Sequence, residues 1–129
     1  MSSPVRDFVG YADAAPDVCW PNGARLALNF VLNYEEGSEY SIADGDGRSD
    51  ASLSEVATPR VPVGDRDLGA ESMFEYGSRV GFWRLERLFR TRGLPLTIFA
   101  AAQALERNPE VCRALAESDW DVVCHGRRW

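Results

Sequence analysis

The stretch Arg25-Leu-Ala-Leu-Asn-Phe-Val-Leu-Asn-Tyr-Glu-Glu-Gly37 decides how the rest of the chain is interpreted. Its run from Leu26 to Asn33 is apolar apart from two asparagines and is too short for a typical helix. Near-continuous apolarity is typical of a parallel strand that is covered on both faces. We therefore predict a buried strand here, bounded by Gly23 and Gly37.

Two adjacent carboxylates, Glu35 and Glu36, follow this strand at its carboxyl end. Burying such charged groups is costly unless they are solvated, paired or used chemically. In α/β folds the carboxyl ends of the strands are where ligands bind. The sequence therefore predicts a catalytic pair of glutamates on the first strand of an α/β barrel. A solvated turn between strand and loop is the alternative.

The composition excludes several classes of function. The chain has 129 residues, of which 45% are hydrophobic, and this fits one packed domain or a piece of a larger one. Its formal net charge of -6 argues against a nucleic-acid partner, because phosphate binding needs a basic face. All of its basic residues are arginines, so a Schiff-base lysine is excluded.

The cysteines and the apolar runs indicate the compartment. Cys19, Cys112 and Cys124 are odd in number and lack the Cys-x-x-Cys spacing, so neither a disulfide framework nor a zinc ribbon is expected. No apolar run approaches the ~20 residues of a membrane helix, and the amino terminus lacks a signal pattern. We expect a cytoplasmic protein with no membrane partner.

Two segments are predicted to be irregular. Residues 1–24 are punctuated by Pro and Gly, and we expect their aromatic side chains to pin this arm to the body: Phe8, Tyr11 and Trp20. Residues 38–70 form a long loop rich in Gly, Asp, Ser and Pro. A loop of this length inside a compact domain is usually functional or disordered.

The acidic residues of this loop imitate the spacing of a calcium loop, at Asp44, Asp46, Asp50 and Glu55. However, Arg48 occupies a ligand position, and Ser49 stands where the sharp turn needs Gly. We therefore predict a solvated loop rather than a calcium site.

A long helix is predicted after the loop. Ser72–Glu75 has the spacing of a capping box, and Gly93 is a typical signal for the helix end. Its apolar side chains recur at helical intervals, at Tyr76, Val80, Trp83, Leu85, Leu88 and Phe89.

Two further strands are predicted, over 94–100 and 120–124, with helices at 103–107 and 109–118 between them. The resulting order of strand, helix, strand, helix, strand predicts two right-handed βαβ units and a parallel sheet. Because Glu35, Glu36 and His125 all lie just past strand ends, we expect them to face one cleft if the first and third strands are close. A structural role for this lone histidine is the alternative.

Four segments together resemble the polysaccharide deacetylase (NodB-homology) superfamily: NYEEG at 33–37, ESMFEYGSRVGFWRL at 71–85, GLPLTIF at 93–99 and HGRRW at 125–129. They are most similar to its metal-independent, allantoinase-like members, and the resemblance extends from about Arg6 onward. It implies the amino-terminal part of a deformed (β/α) barrel, with helices outside and the active site at the strand mouths. We divide the domain 1–129 into an arm, 1–24, and a body, 25–129. Three strands cannot close a barrel, so we expect one sheet face and both edges to be open.

The resemblance also implies roles for individual residues. In metal-dependent members the first motif reads Thr-Phe-Asp-Asp-Gly, which places Glu35 at the base position and Glu36 at the metal position. The second motif reads His-Ser/Thr-x-x-His; His125 matches its first histidine, and Trp129 replaces the second. One carboxylate and one imidazole are too few for a catalytic zinc, so we expect no metal and no cofactor. The expected catalytic residues are Glu35, Glu36 and His125: either glutamate could be the base, and His125 could orient the substrate or protonate the leaving nitrogen. The expected substrate contacts are Tyr34, Glu71 and Trp129.

Three functions remain open from the sequence. The first is metal-independent hydrolysis of a small ureide or amide, with allantoin-like ureides leading. The second is N-deacetylation of a polysaccharide or peptidoglycan. The third is an inactive fragment or assembly module, whose partners would be a second copy in a homo-oligomer or a complementing chain.

Overall fold

The computed structural model describes residues 6–52, 54–56 and 61–129, and within them three strands form one parallel sheet. The strands are β1 (Val31–Tyr34), β2 (Thr97–Ala100) and β3 (Asp121–Cys124), in the spatial order β1-β2-β3. Their register aligns Tyr34, Ala100 and Cys124 at the carboxyl ends. The α/β class and the parallel arrangement predicted from the sequence are therefore confirmed.

The helices lie between the strands. They are α1 (Leu68–Tyr76), α2 (Phe82–Arg92), α3 (Ala102–Arg107) and α4 (Pro109–Ala116), and a π-helical segment, Gly77–Gly81, joins α1 to α2. Gly93 ends α2 in the left-handed conformation, as predicted, with a φ of 60°. Short 3-10 turns occur at Pro21–Gly23 and Ile42–Asp44. None of the described helices is both long and apolar enough to cross a membrane.

The core lies on one face of the sheet. Tyr34, Ile98 and Ala100 are buried there against side chains from the helices and from the segment before β2: Phe82, Leu96, Ala104, Val111 and Leu115. On the opposite face of β1, Val31 is 50% exposed. Among the described residues, the expectation that side chains cover both faces of β1 was therefore wrong. The open face expected for three strands is confirmed.

β1 is shorter than predicted. It begins at Val31 rather than Leu26, and the side chain of Leu26 is 74% exposed. Val31 pairs with Thr97, the first residue of β2, and Pro95 precedes it by two residues. Because proline has no N–H to donate, the ladder has no regular continuation toward Leu26.

Two other expectations were wrong. The arm aromatics Phe8, Tyr11 and Trp20 are all exposed and do not pin the arm to the body. The helix is capped five residues earlier than predicted, by Asp67 rather than Ser72: Asp67 Oδ1 accepts a hydrogen bond from Ala70 N at 2.9 Å. Ser72 lies inside α1, where its hydroxyl donates to the Gly69 carbonyl.

The buried side of α1 and α2 also differs from the predicted stripe. Tyr76, Val80 and Leu88 are exposed, whereas Phe74 and Phe82 are buried. The π-helical segment lies between the two phenylalanines and has more residues per turn than an α-helix. An apolar stripe predicted with one α-helical period across residues 68–92 therefore does not match the buried positions on both sides of this segment.

Candidate active site

Glu35 and His125 meet at the carboxyl end of the sheet. Each follows the last residue of its strand, β1 and β3 respectively, and Glu35 Oε1 lies 3.1 Å from His125 Nε2. In the same register the residue after the middle strand is Ala101, which is fully buried. The side chains of Glu35 and His125 are 15% and 35% exposed. Their predicted proximity is confirmed.

The backbone around His125 fixes where its ring lies. His125 N donates to the Ala100 carbonyl at 3.0 Å, and the Gly126 carbonyl accepts from Ala102 N at 2.9 Å. The His125 ring also lies edge to face with Phe99 at a centroid distance of 6.1 Å. These contacts hold the imidazole over the open face of the sheet, beside Glu35.

Glu36 takes a different direction from Glu35. Its Oε2 lies 3.4 Å from the backbone N–H of Glu35, and its carboxylate rests against Gly77 of the π-helical segment. Both glutamates line a cavity of about 200 Å³. The other described lining residues are Asn33, Glu55, Met73, Phe74 and Trp129.

Trp129 forms an aromatic wall of this cavity. Its ring lies 5.4 Å from that of Phe74, and its indole N–H donates to Asp50 Oδ2 at 3.1 Å. Asp50 Oδ2 also accepts from Tyr40 N at 2.8 Å. The predicted substrate-binding residue Trp129 therefore lies at the cavity and is tied to the long loop.

Tyr34 and Glu71 lie away from the cavity. Tyr34 points into the core, where Asn108 Nδ2 donates to its hydroxyl at 3.0 Å and burial raises the pKa of the phenol to about 12. Side chains alternate along a strand, so Tyr34 faces opposite to Asn33 and Glu35. Glu71 pairs with Arg66 through two contacts of 3.1 and 2.5 Å. The structure brings neither side chain to the site at which a substrate contact was predicted.

Arg128 ties the long loop to the end of β3. Its guanidinium donates to the carbonyls of Ser38 and Glu39 and to both carboxylate oxygens of Asp46, at 2.6 to 3.0 Å. It also lies over the Tyr40 ring, 3.9 Å from the centroid. Its hydrogen bonds to Asp46 lower the pKa of that carboxyl to about 2. We call this group of contacts the Arg128 clamp.

Three acidic residues of the calcium-like spacing have protein partners. Asp44 pairs with Arg107 at 2.8 Å, Asp46 with Arg128, and Asp50 with Trp129. Asp44 is exposed, as a solvated loop predicts, whereas Asp46 and Asp50 are partly buried by partners that lie far away in the sequence.

Comparison with known proteins gives the same assignment from sequence and from structure. No protein-family model matches the chain. A Schizosaccharomyces pombe protein, assigned by its name to the polysaccharide deacetylases, is 42% identical over 129 residues, which cover 97% of this chain and 40% of that protein.

Two solved structures superpose on the chain with a TM-score of 0.86. One is the PuuE allantoinase, which is 46% identical and matched over 100% of this chain and 42% of its own. The other is a probable polysaccharide deacetylase from Pseudomonas aeruginosa PAO1, which is 49% identical and matched over 96% and 41%. The resemblance to the polysaccharide deacetylase superfamily is confirmed. The chain spans about two fifths of the length of each of these relatives.

The residues present do not fit the zinc site of the metal-dependent members of the superfamily. Catalytic zinc is usually held by three protein ligands, from His, Cys, Asp or Glu. The described ranges contain no group of three such side chains that could hold a metal ion. Trp129, the residue that the resemblance aligns with the second histidine, offers only an N–H donor, and Asp50 accepts its hydrogen bond.

Several cavity residues were not predicted from the sequence. Asn33 carried a usable signal, because it stands two positions before Glu35 and therefore shares its strand face. Met73 and Phe74 carried none, since their approach to the cavity depends on how α1 packs. Glu55 was noted only as part of the calcium-like spacing.

Proposed function

We propose that these residues belong to a hydrolase of non-peptide carbon–nitrogen bonds, with an allantoin-like ureide as the leading substrate and no metal. The observation that carries the proposal is the 3.1 Å contact between Glu35 Oε1 and His125 Nε2, beside the cavity that Glu35 lines. An allantoinase and two proteins assigned to the polysaccharide deacetylases are among the similar proteins, and both reactions cleave a C–N bond.

Glu35 is the proposed general base and His125 the proposed acid. Glu35 takes a proton from water as the water oxygen bonds to the substrate carbonyl carbon. The C–N bond then breaks, and protonated His125 gives its proton to the leaving nitrogen. Proton transfer from the Glu35 carboxyl to the His125 imidazole, across the 3.1 Å contact, restores both groups.

The remaining cavity residues have supporting roles in this proposal. Asn33 offers an amide donor to the oxygen that becomes negative during attack. Phe74 and Trp129 form an aromatic wall against a flat substrate ring. Glu36 supplies a second carboxylate beside the base, against Gly77.

Hydrolysis without a metal is supported by the donor set. Glu35 contacts His125, and Glu36 rests on Gly77. The resemblance aligns Trp129, whose indole N–H donates to Asp50, with the second histidine. A carboxylate base can activate water in place of a Lewis acid, provided that donors stabilise the oxyanion.

The alternative activity is N-deacetylation of a sugar polymer, which two of the relatives' names favour. A substrate panel separates the two activities, with allantoin in one arm and N-acetylglucosamine oligomers in the other. The protein to assay is the product of the whole reading frame that contains these residues, here called the full-length protein. We expect turnover of allantoin that survives chelation by EDTA.

The decisive variant in this panel is Glu35→Gln, which keeps the side-chain shape and removes the base. We expect it to lower kcat by about 10²–10⁴-fold, the usual contribution of general acid–base catalysis. Glu75→Gln is the matched control, because Glu75 pairs with Arg79 on an exposed helix surface. Turnover of neither substrate, or equal turnover by both variants and the wild type, would contradict the proposal.

We also propose that further polypeptide covers the open face of the sheet, supplied by a complementing chain or a second copy in the cytoplasm. Val31 and Val123 are exposed on this face, and large apolar surfaces favour association. We expect residues 1–129 alone to bind a hydrophobic dye, to self-associate in sedimentation velocity and not to hydrolyse allantoin. A monomeric, cooperatively unfolding protein that turns over allantoin would contradict this.

A further inference from the structure

The π-helical segment between α1 and α2 has a glycine at each end, Gly77 and Gly81. Neither residue needs the left-handed freedom of glycine, since their φ angles are -55° and -58°. A glycine inside a helix costs about 1 kcal/mol relative to alanine. Backbone conformation therefore does not explain why glycine occupies these two positions.

The surroundings of the two glycines differ. A Cβ atom added to Gly77 would lie 2.5 Å from Glu36 Oε1, 2.7 Å from its Cδ and 2.9 Å from its Cγ. Such approaches are far inside van der Waals contact. A Cβ atom added to Gly81 would meet nothing closer than the Tyr76 carbonyl oxygen, at 3.6 Å. Of the two glycines, only Gly77 therefore has another side chain, that of Glu36, in the space that a Cβ atom would occupy.

The Glu36 carboxylate fills the space that Gly77 leaves. Its Oε1 faces the Gly77 α-carbon, and its Oε2 lies 3.4 Å from the Glu35 N–H. The Glu36 backbone cannot retreat freely, because it follows β1 directly and the next residue, Gly37, is itself packed against Ala104. The helix surface and the strand end thus hold this carboxylate between them.

We propose that Gly77 is a positioning residue for Glu36: its bare α-carbon seats the Glu36 carboxylate against the π-helical segment and thereby directs it into the cavity beside Glu35. The consequence for catalysis rests on the proposed hydrolase function, whereas the packing itself does not. A methyl group at residue 77 would occupy this seat and displace the Glu36 carboxylate from its place beside Glu35.

The test compares Gly77→Ala with its matched control Gly81→Ala in the full-length protein, each in the wild-type and the Glu36→Ala backgrounds. Both substitutions exchange glycine for alanine in the same π-helical segment. In the wild-type background we expect Gly81→Ala to raise the urea midpoint of unfolding and Gly77→Ala to lower it or leave it unchanged. In the Glu36→Ala background, where the carboxylate is gone, both should raise the midpoint.

Kinetics provide the second measurement. We expect Gly77→Ala to lower allantoin kcat on the order of 10²-fold, the effect of misplacing an active-site group by about 1 Å, with little change in KM. Gly81→Ala should stay close to wild type. A purely structural effect would change the urea midpoint without this separation of kcat from KM.

The outcomes distinguish the two proposals. Equal midpoint shifts for the two alanine variants in both backgrounds, with unchanged kcat for Gly77→Ala, would overturn the positioning role. A Glu36-dependent midpoint difference, in a full-length protein that hydrolyses neither substrate class, would support the packing at Gly77 and contradict the hydrolase proposal alone.

Discussion

The two faces of the sheet formed by β1 and β2 differ in what their side chains do. On the face that the helices cover, Tyr34, Ile98 and Ala100 are buried in one apolar cluster. On the other face, Val31 and Asn33 are exposed. This open face leads, past the strand ends, to Glu35 and His125.

This difference separates stability from chemistry. The covered face has its apolar partners within the described residues and therefore carries the folding free energy that burial provides. The open face carries the polar groups of the candidate active site, and its apolar residues, such as Val31, are exposed. Substitutions on the two faces should therefore have opposite profiles, with loss of stability on one and loss of function on the other.

The largest effect on stability is expected on the covered face. Ile98 is 0% exposed, so Ile98→Ala should lower the free energy of unfolding by about 2–5 kcal/mol, the range for aliphatic core truncations. Val31→Ala, on the open face of the neighbouring strand, should cost less than about 1 kcal/mol before that face is covered. Urea unfolding of residues 1–129, at protein concentrations below those at which they self-associate, measures both. Equal losses would break the distinction between the faces.

A smaller effect is expected at the Arg128 clamp, which ties the long loop to the strand end beside the site. Arg128→Ala should lower the free energy of unfolding of the full-length protein by about 1–3 kcal/mol, the scale of charge-assisted hydrogen bonds. It should also raise KM, because the same loop holds Trp129 through Asp50.

The neighbouring arginine provides the control for the clamp. Arg127 is exposed, and its ion pair to Glu106 is long at 3.5 Å. Arg127→Ala should therefore have little effect on the free energy of unfolding or on KM. Arg128→Lys should not restore the clamp, because an ammonium group cannot reproduce the planar fork of a guanidinium. A full rescue by lysine would show that charge alone holds the loop.

The smallest effect is a pH dependence carried by the same clamp. The pKa of Asp46 is lowered from 3.8 to about 2 in the folded protein, so its contribution to stability is fully present above pH 3.8. That contribution is lost as the pH falls through about 2. Between these values the urea midpoint of Asp46→Asn should fall less steeply than that of the wild type. Asp17→Asn, in the exposed arm, should follow the wild-type slope, and parallel slopes for all three proteins would contradict the prediction.

The sequence predicted the elements whose signals are local. The apolar runs predicted the three strands, Gly93 predicted the end of α2, and Pro109 predicted the start of α4, because each signal acts within a few residues. The proximity of Glu35 and His125 followed from topology, since parallel strands present their carboxyl ends at one edge.

What the sequence could not predict depends on partners that are distant along the chain. β1 begins at Val31 because of Pro95, a residue of the neighbouring segment. Which side chains of α1 and α2 are buried depends on the π-helical segment between them. The Arg128 clamp joins residues 82 positions apart, so a loop that resembled a calcium site is held by arginine instead. No local pattern in the loop contains that information.

A double-mutant cycle on Glu35 and His125 tests the central claim most directly, which is that these two residues act as one catalytic pair. In the full-length protein, Glu35→Gln and His125→Asn should each lower kcat/KM for allantoin by about 10²–10⁴-fold. Because the two groups exchange a proton in one reaction, kcat/KM of the double variant should lie within about threefold of that of the less active single variant. Losses that simply multiply, or a His125→Asn enzyme with wild-type turnover, would contradict the pair.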